Sequence, residues 1–96
     1  MANVTVKIKV SSKAKKTYVV GSTKNLGEWD VKKAVEVVDG VVSKQFPAGE
    51  TVEFKVVSKK DWANVEKGAN GEELANHTFV ANKGLVVEVN VENFNK

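Results

Sequence analysis

Val4-Thr5-Val6-Lys7-Ile8-Lys9-Val10 decides the fold class. Val4, Val6, Ile8 and Val10 fall on one side of an extended chain, and Thr5, Lys7 and Lys9 fall on the other. Successive side chains of a strand point to opposite faces, so this alternation marks a strand with one face in a core and one in water. The same period returns over residues 51–58, with Val52, Phe54 and Val56 inward and Glu53, Lys55 and Val57 outward. It returns again over 85–91, where Leu85, Val87, Val89 and Val91 share the core face. Residues 17–21, 33–38 and 41–46 read as three more strands. Polar turns at 11–16 and 47–50 separate them. Asp39-Gly40 is a tight hairpin signal, because glycine takes φ > 0 at no steric cost. No segment sustains a period of 3.6, and many short strands with frequent turns predict a sandwich or barrel.

The chain has 96 residues, a formal net charge of +3, no cysteine and one histidine. That length predicts one domain over residues 1–96. Without cysteine there are no disulfides, no thiolate nucleophile and no cysteine zinc site. His77 alone cannot build a multi-histidine one. No apolar run approaches the roughly 20 residues of a membrane span, and the N-terminus lacks the apolar core of a signal peptide. All 15 basic residues are lysine. Arginine is the residue that grips phosphates and guanine edges in bidentate fashion, so no nucleic-acid partner is expected. The lysines are also scattered, and the longest basic run, Lys13-Ala14-Lys15-Lys16, sits in a turn.

Catalysis is disfavoured on similar grounds. A glycosidase needs two carboxylates about 5–9.5 Å apart across a cleft. Asp61, Glu66, Glu72 and Glu73 supply acids, but so short a chain lacks walls to desolvate one of them. Gly68-Ala69-Asn70-Gly71 matches neither a phosphate cradle nor a calcium loop. No catalytic residue, metal or cofactor is expected.

The aromatic residues carry the functional signal. Phe46, Phe54 and Phe79 occupy core faces, Tyr18 reads as core, and Phe94 is uninformative. Trp29, in Leu26-Gly27-Glu28-Trp29-Asp30, and Trp62, in Lys60-Asp61-Trp62-Ala63-Asn64, sit among charged and polar residues instead. Trp62 also lies in a long polar stretch, 59–77. Long loops of compact domains are commonly functional, and an aromatic there argues against disorder.

Tyr18-Val19-Val20-Gly21-Ser22, Asn25-Leu26-Gly27-Glu28-Trp29-Asp30, Lys33-Ala34-Val35, Phe46-Pro47-Ala48-Gly49 and Val52-Glu53-Phe54-Lys55 occur in an order and spacing that resembles the starch-binding domain of carbohydrate-binding module family 20. The resemblance covers most of residues 4–91. It implies an antiparallel, immunoglobulin-like β-sandwich of about seven to eight strands. It also implies non-catalytic binding of α-1,4-linked glucan such as starch, glycogen or maltooligosaccharides. Carried over residue by residue, it makes Trp29 and Trp62 the sugar-stacking residues and Lys55 a polar contact, and period 2 independently points Lys55 out of the core. The family's glutamate after the second tryptophan is Ala63 here, so either Glu66 replaces it or that contact is missing. Asn70 is the candidate for the family's downstream asparagine, with Asn64 as runner-up. The second glucan site of the family uses tyrosines in the first hairpin and near the third-to-fourth strand turn. Neither region carries an aromatic here, so one site is expected.

The resemblance implies a monomeric module attached to a catalytic or surface domain, extracellular or at the cell surface, with no membrane or nucleic-acid contact. The competing expectation is a structural or adhesive β-sandwich module of a larger extracellular protein, whose tryptophans pack internally.

Overall fold

The computed structural model describes residues 2–94; Met1, Asn95 and Lys96, the outermost residues of the expected domain, lie outside them. The described chain runs β1 (Asn3–Ser11), β2 (Tyr18–Gly21), β3 (Val35–Glu36), β4 (Val41–Pro47), β5 (Thr51–Val57), β6 (Glu66–Lys67), β7 (His77–Val80), β8 (Val86–Asn90) and β9 (Asn93–Phe94). Short 3-10 turns interrupt it, and no described residue is in an α-helix.

The opening alternation becomes β1, with Val6, Ile8 and Val10 buried while Thr5, Lys7 and Lys9 are exposed. β1 is the middle strand of a three-stranded sheet, antiparallel to β4 and parallel to β8. That parallel pair is the one departure from antiparallel pairing among the strands described. Parallel neighbours need a long crossover, and residues 12–85 supply it, adding β4 to the first sheet and building the second, of order β3-β2-β5-β7. The two sheets face each other across one core. Val6, Ile8, Val10, Val42, Phe46 and Val89 meet Val19, Val52, Phe54, Val56 and Phe79 there. Phe46 and Phe79 pack edge to face at 5.4 Å, a favoured aromatic geometry. Each fully buried side chain of this size contributes about 1.5–3 kcal/mol.

Two strand expectations are corrected. The strand expected over 33–38 shrinks to Val35–Glu36, because Val31–Lys33 wind into a 3-10 turn capped by Asp30, whose carboxylate accepts the Lys32 N–H at 3.1 Å. The chain then leaves for the other sheet through the Asp39-Gly40 turn, with φ of 54° and 76°. Val57, expected to face water, is fully buried with Val20 and Ala34, and Tyr18, Val31 and Val65 pack against them. The outer face of β2 and β5 is therefore roofed by the segments around Val31 and Val65. Val31 follows the first tryptophan-bearing arm and Val65 the second.

Candidate functional site

The first arm follows β2. A Cβ at Gly21 would meet the Glu53 carbonyl oxygen at 2.6 Å, so only glycine lets β2 end this close to β5. Leu26, in the 3-10 turn Lys24–Leu26, is fully buried and plugs the arm into the core. Three successive residues then take left-handed backbone: Gly27 at φ 88°, Glu28 at 49° and Trp29 at 64°. Glycine does so freely, but for Glu28 and Trp29 the conformation costs about 1–2 kcal/mol each. Hydrogen bonds hold it in place. Glu28 N–H donates to Thr23 O at 2.9 Å, Trp29 N–H to Gly21 O at 2.8 Å and Asp30 N–H to Gly27 O at 2.9 Å. Strain maintained in this way concentrates where a side chain must be aimed, and here the aimed side chain is an indole.

The second arm follows β5. The Asp61 carboxylate accepts the Ala63 N–H at 2.9 Å and so caps the 3-10 turn Trp62–Asn64. Ser58 N–H donates to Asn64 O at 3.1 Å, and Val57 bridges Val65. Trp62 is left 39% exposed, while Trp29 is half-buried. The two ring centroids stand 6.3 Å apart with 37° between the planes. The indoles line one open, shallow depression with Lys55, Val65 and Asn76. Lys55 Nζ donates to Leu74 O at 2.7 Å, and Asn76 Nδ2 donates to Glu53 Oε1 at 3.2 Å. Both polar side chains are thereby tethered at the edge of the aromatic surface. A lysine so engaged keeps two further N–H donors, and the asparagine keeps a second N–H and a carbonyl oxygen.

Of the six residues expected to contact sugar, Trp29, Lys55 and Trp62 come together in this depression. Asn64, Glu66 and Asn70 do not line it. Asn64 lines a different hollow, with Lys13, Ser58 and Glu92. Asn70 sits in a turn where its backbone N–H donates to Glu72 Oε1 at 3.0 Å. The Glu66 side chain is enclosed, accepting the Val56 N–H at 2.9 Å and lying 2.5 Å from His77 Nε2. The asparagine that does reach the depression is Asn76. Counting forward from Trp62 through a long loop misses it. Counting back from the core residue Phe79 finds it, since Phe79 opposes Val52 and His77 opposes Phe54, leaving Asn76 at the Lys55 end of β5.

Two indoles tilted like shallow plates, edged by fixed hydrogen-bond donors, suit a ligand with apolar faces and hydroxylated rims. On a two-layer β-sheet scaffold that combination is an open surface site, not an enclosed pocket. Among the described residues no cluster of His, Cys, Asp and Glu could hold a metal ion.

Comparison with known proteins narrows the class. The family model described as the starch-binding domain matches residues 1–88, and the chain belongs to that family, carbohydrate-binding module family 20. Cyclomaltodextrin glucanotransferase of Niallia circulans is 32% identical over 83 residues, which covers 77% of this chain and 11% of that enzyme. The same enzyme of Bacillus sp. (strain 17-1) matches at the same identity and coverage. The chain thus spans about a tenth of the length of these relatives. Among solved structures, a family 15 glucoamylase from Hypocrea jecorina superposes with a TM-score of 0.71 at 19% identity, over 97% of this chain and 18% of that one. The family 20 module of a maltotetraose-forming amylase from Pseudomonas saccharophila gives 0.56 at 20% identity, over 93% of this chain and 99% of that one. These likenesses are of fold.

Proposed function

We propose that the Trp29–Trp62 depression is the glucan-binding surface of this starch-binding domain, and that it holds α-1,4-linked glucan without cleaving it. The observation that carries the reading is the pair of tilted indoles, open to solvent and fixed by two separate arms. A glucose ring is apolar on its C–H faces and polar at its rim. An indole matches such a face, removes water from it and has few rotamers to lose. Two indoles at 37° follow the curve of an α-1,4 chain better than the flat ribbon of a β-1,4 chain. Lys55 and Asn76 bond the hydroxyl rim, directly or through water. The polar half of the site is thus assigned to Lys55 and Asn76, in place of Asn64, Glu66 and Asn70.

Binding without hydrolysis follows from membership of a family of binding modules. A site this shallow and wet gives modest affinity, of order 10–500 µM, or roughly −5 to −7 kcal/mol. Attachment to an amylolytic or cell-surface domain outside the cell would raise it through effective concentration. The great length of the matched glucanotransferases favours such an attachment. The module acts as one monomeric domain over residues 1–96. The exposure of Trp62 weighs against an adhesive module with internally packed tryptophans.

Calorimetric titration with maltoheptaose tests the reading, alongside retardation in starch-containing native gels. Saturable binding at one site per chain, little changed between low and high salt, is expected. Absence of heat and of retardation would sink it.

A further inference from the structure

Among the described residues Glu66 is the one charged side chain in the buried set, at 1% exposure. A carboxylate so placed is costly unless paired and hydrogen-bonded. Its two oxygens are both engaged, Oε2 by the Val56 N–H at 2.9 Å and Oε1 by His77 Nε2 at 2.5 Å. With the carboxylate ionised, Nε2 carries the proton of that second bond. The imidazole is fixed in turn against Phe54, with ring centroids 5.0 Å apart.

The location of the pair gives it a role. The β5–β7 ladder stops at Phe54–His77, and β5 next bridges the second arm at Val57–Val65. The Val56 N–H lies between these two pairings, and Glu66 accepts it. The residue before Glu66 is Val65 and the residue before His77 is Asn76, and both line the depression. Consecutive side chains of an extended segment point to opposite sides. Each segment thus sends one side chain to the depression and the next one inward, where the two inward side chains bond to each other. The Val65 N–H also donates to the Trp62 carbonyl oxygen at 3.3 Å, which links the pair to the second indole.

We propose that Glu66 and His77 are a positioning pair for the glucan site, their hydrogen bond setting the spacing of Val65 and Asn76 and the stance of Trp62. Neither residue touches sugar. The inference rests on the reading of the depression as the glucan site. An apolar contact would hold the two segments together, but it would tolerate slippage that a doubly bonded carboxylate does not.

Two variants test it. His77→Phe keeps a ring against Phe54 and removes the Nε2–H. His77→Gln removes the ring and keeps an N–H donor in a similar place. In His77→Phe, maltoheptaose affinity is expected to fall about tenfold, the order of losing one charge-assisted hydrogen bond. In ligand-free protein its Asn76 side-chain amide and Trp62 indole N–H signals should shift in 1H–15N spectra. His77→Gln should return affinity to within about twofold of wild type, since donor geometry is retained. A folded His77→Phe protein with wild-type signals and affinity overturns the proposal. So does a tenfold loss in folded His77→Gln, which also serves if His77→Phe does not fold. Wild-type protein that ignores maltoheptaose would refute the reading of the depression, while the ligand-free spectra would still decide the pair.

Discussion

The two arms that present the indoles differ in what chiefly holds them. The first is short and backbone-driven: Gly21 permits close approach, Leu26 anchors, and three left-handed residues turn Trp29 to the surface. The second is long and tethered by side chains: Asp61 caps the turn at Trp62, Lys55 holds Leu74, and Glu66 binds Val56 and His77. A tight loop fixes direction through φ and ψ, because few conformations close it. A long loop has many conformations, and specific polar ties must select one. The two arms thus place their indoles by unlike means, and they should break in unlike ways.

The largest effect serves as the reference for both arms. Phe54→Ala empties the centre of the core and should lower stability by about 3–5 kcal/mol in denaturant titrations. If either indole were core, its removal would match this. Instead Trp29→Ala and Trp62→Ala should each weaken maltoheptaose binding by about 1–3 kcal/mol in calorimetry, with a far smaller loss of stability than Phe54→Ala. An unfolded tryptophan variant would place that residue in the core and remove it from the site.

The next two changes separate the arms. Gly27→Ala forces a Cβ to within 3.0 Å of the Lys33 carbonyl oxygen at φ 88°. It should cost about 1–2 kcal/mol of stability and disturb Trp29 more than Trp62, measured by thermal unfolding and by indole N–H shifts. Asp61→Ala removes the cap of the second arm and should cost about 0.5–2 kcal/mol there, with the Trp62 signal moved instead. The smallest effect has the opposite sign. Glu28→Gly relieves left-handed strain and should stabilise the fold by about 0.5–1 kcal/mol, net of glycine's entropic cost. If that gain came with weaker glucan binding, the strain itself would be part of how Trp29 is aimed.

The first arm was legible in the sequence and the second only in part, and the contrast explains why. Val-Gly-Ser followed by Leu-Gly-x-Trp encodes a backbone path, and glycine at fixed spacing announces it. β1, β5 and the core phenylalanines were legible for the same kind of reason, since period 2 is a local property. The tethers of the second arm are not local. Glu66, between Val65 and Lys67 in a polar stretch, reads as a candidate for sugar contact until His77 and Val56 are seen to meet it. Asn76 is separated from Trp62 by a loop whose length shifts any forward count. Val57 has the outward parity of Lys55 and Glu53, yet it is buried because the roof above it comes from elsewhere in the chain. The parallel pairing of β1 with β8 likewise depends on topology that no single segment announces.

The spacing of the indoles has an optical consequence. Trp29 and Trp62 are the chain's two tryptophans, and their centroids are 6.3 Å apart. Chromophores this near share excitation, so light absorbed by either ring is emitted from a coupled pair. Nearly all long-wavelength ultraviolet emission of the protein thus originates from the surface where a sugar would rest. A glucan laid across both rings would alter their solvent and their coupling at once. The chain carries its own fluorescent reporter, placed at the proposed glucan site.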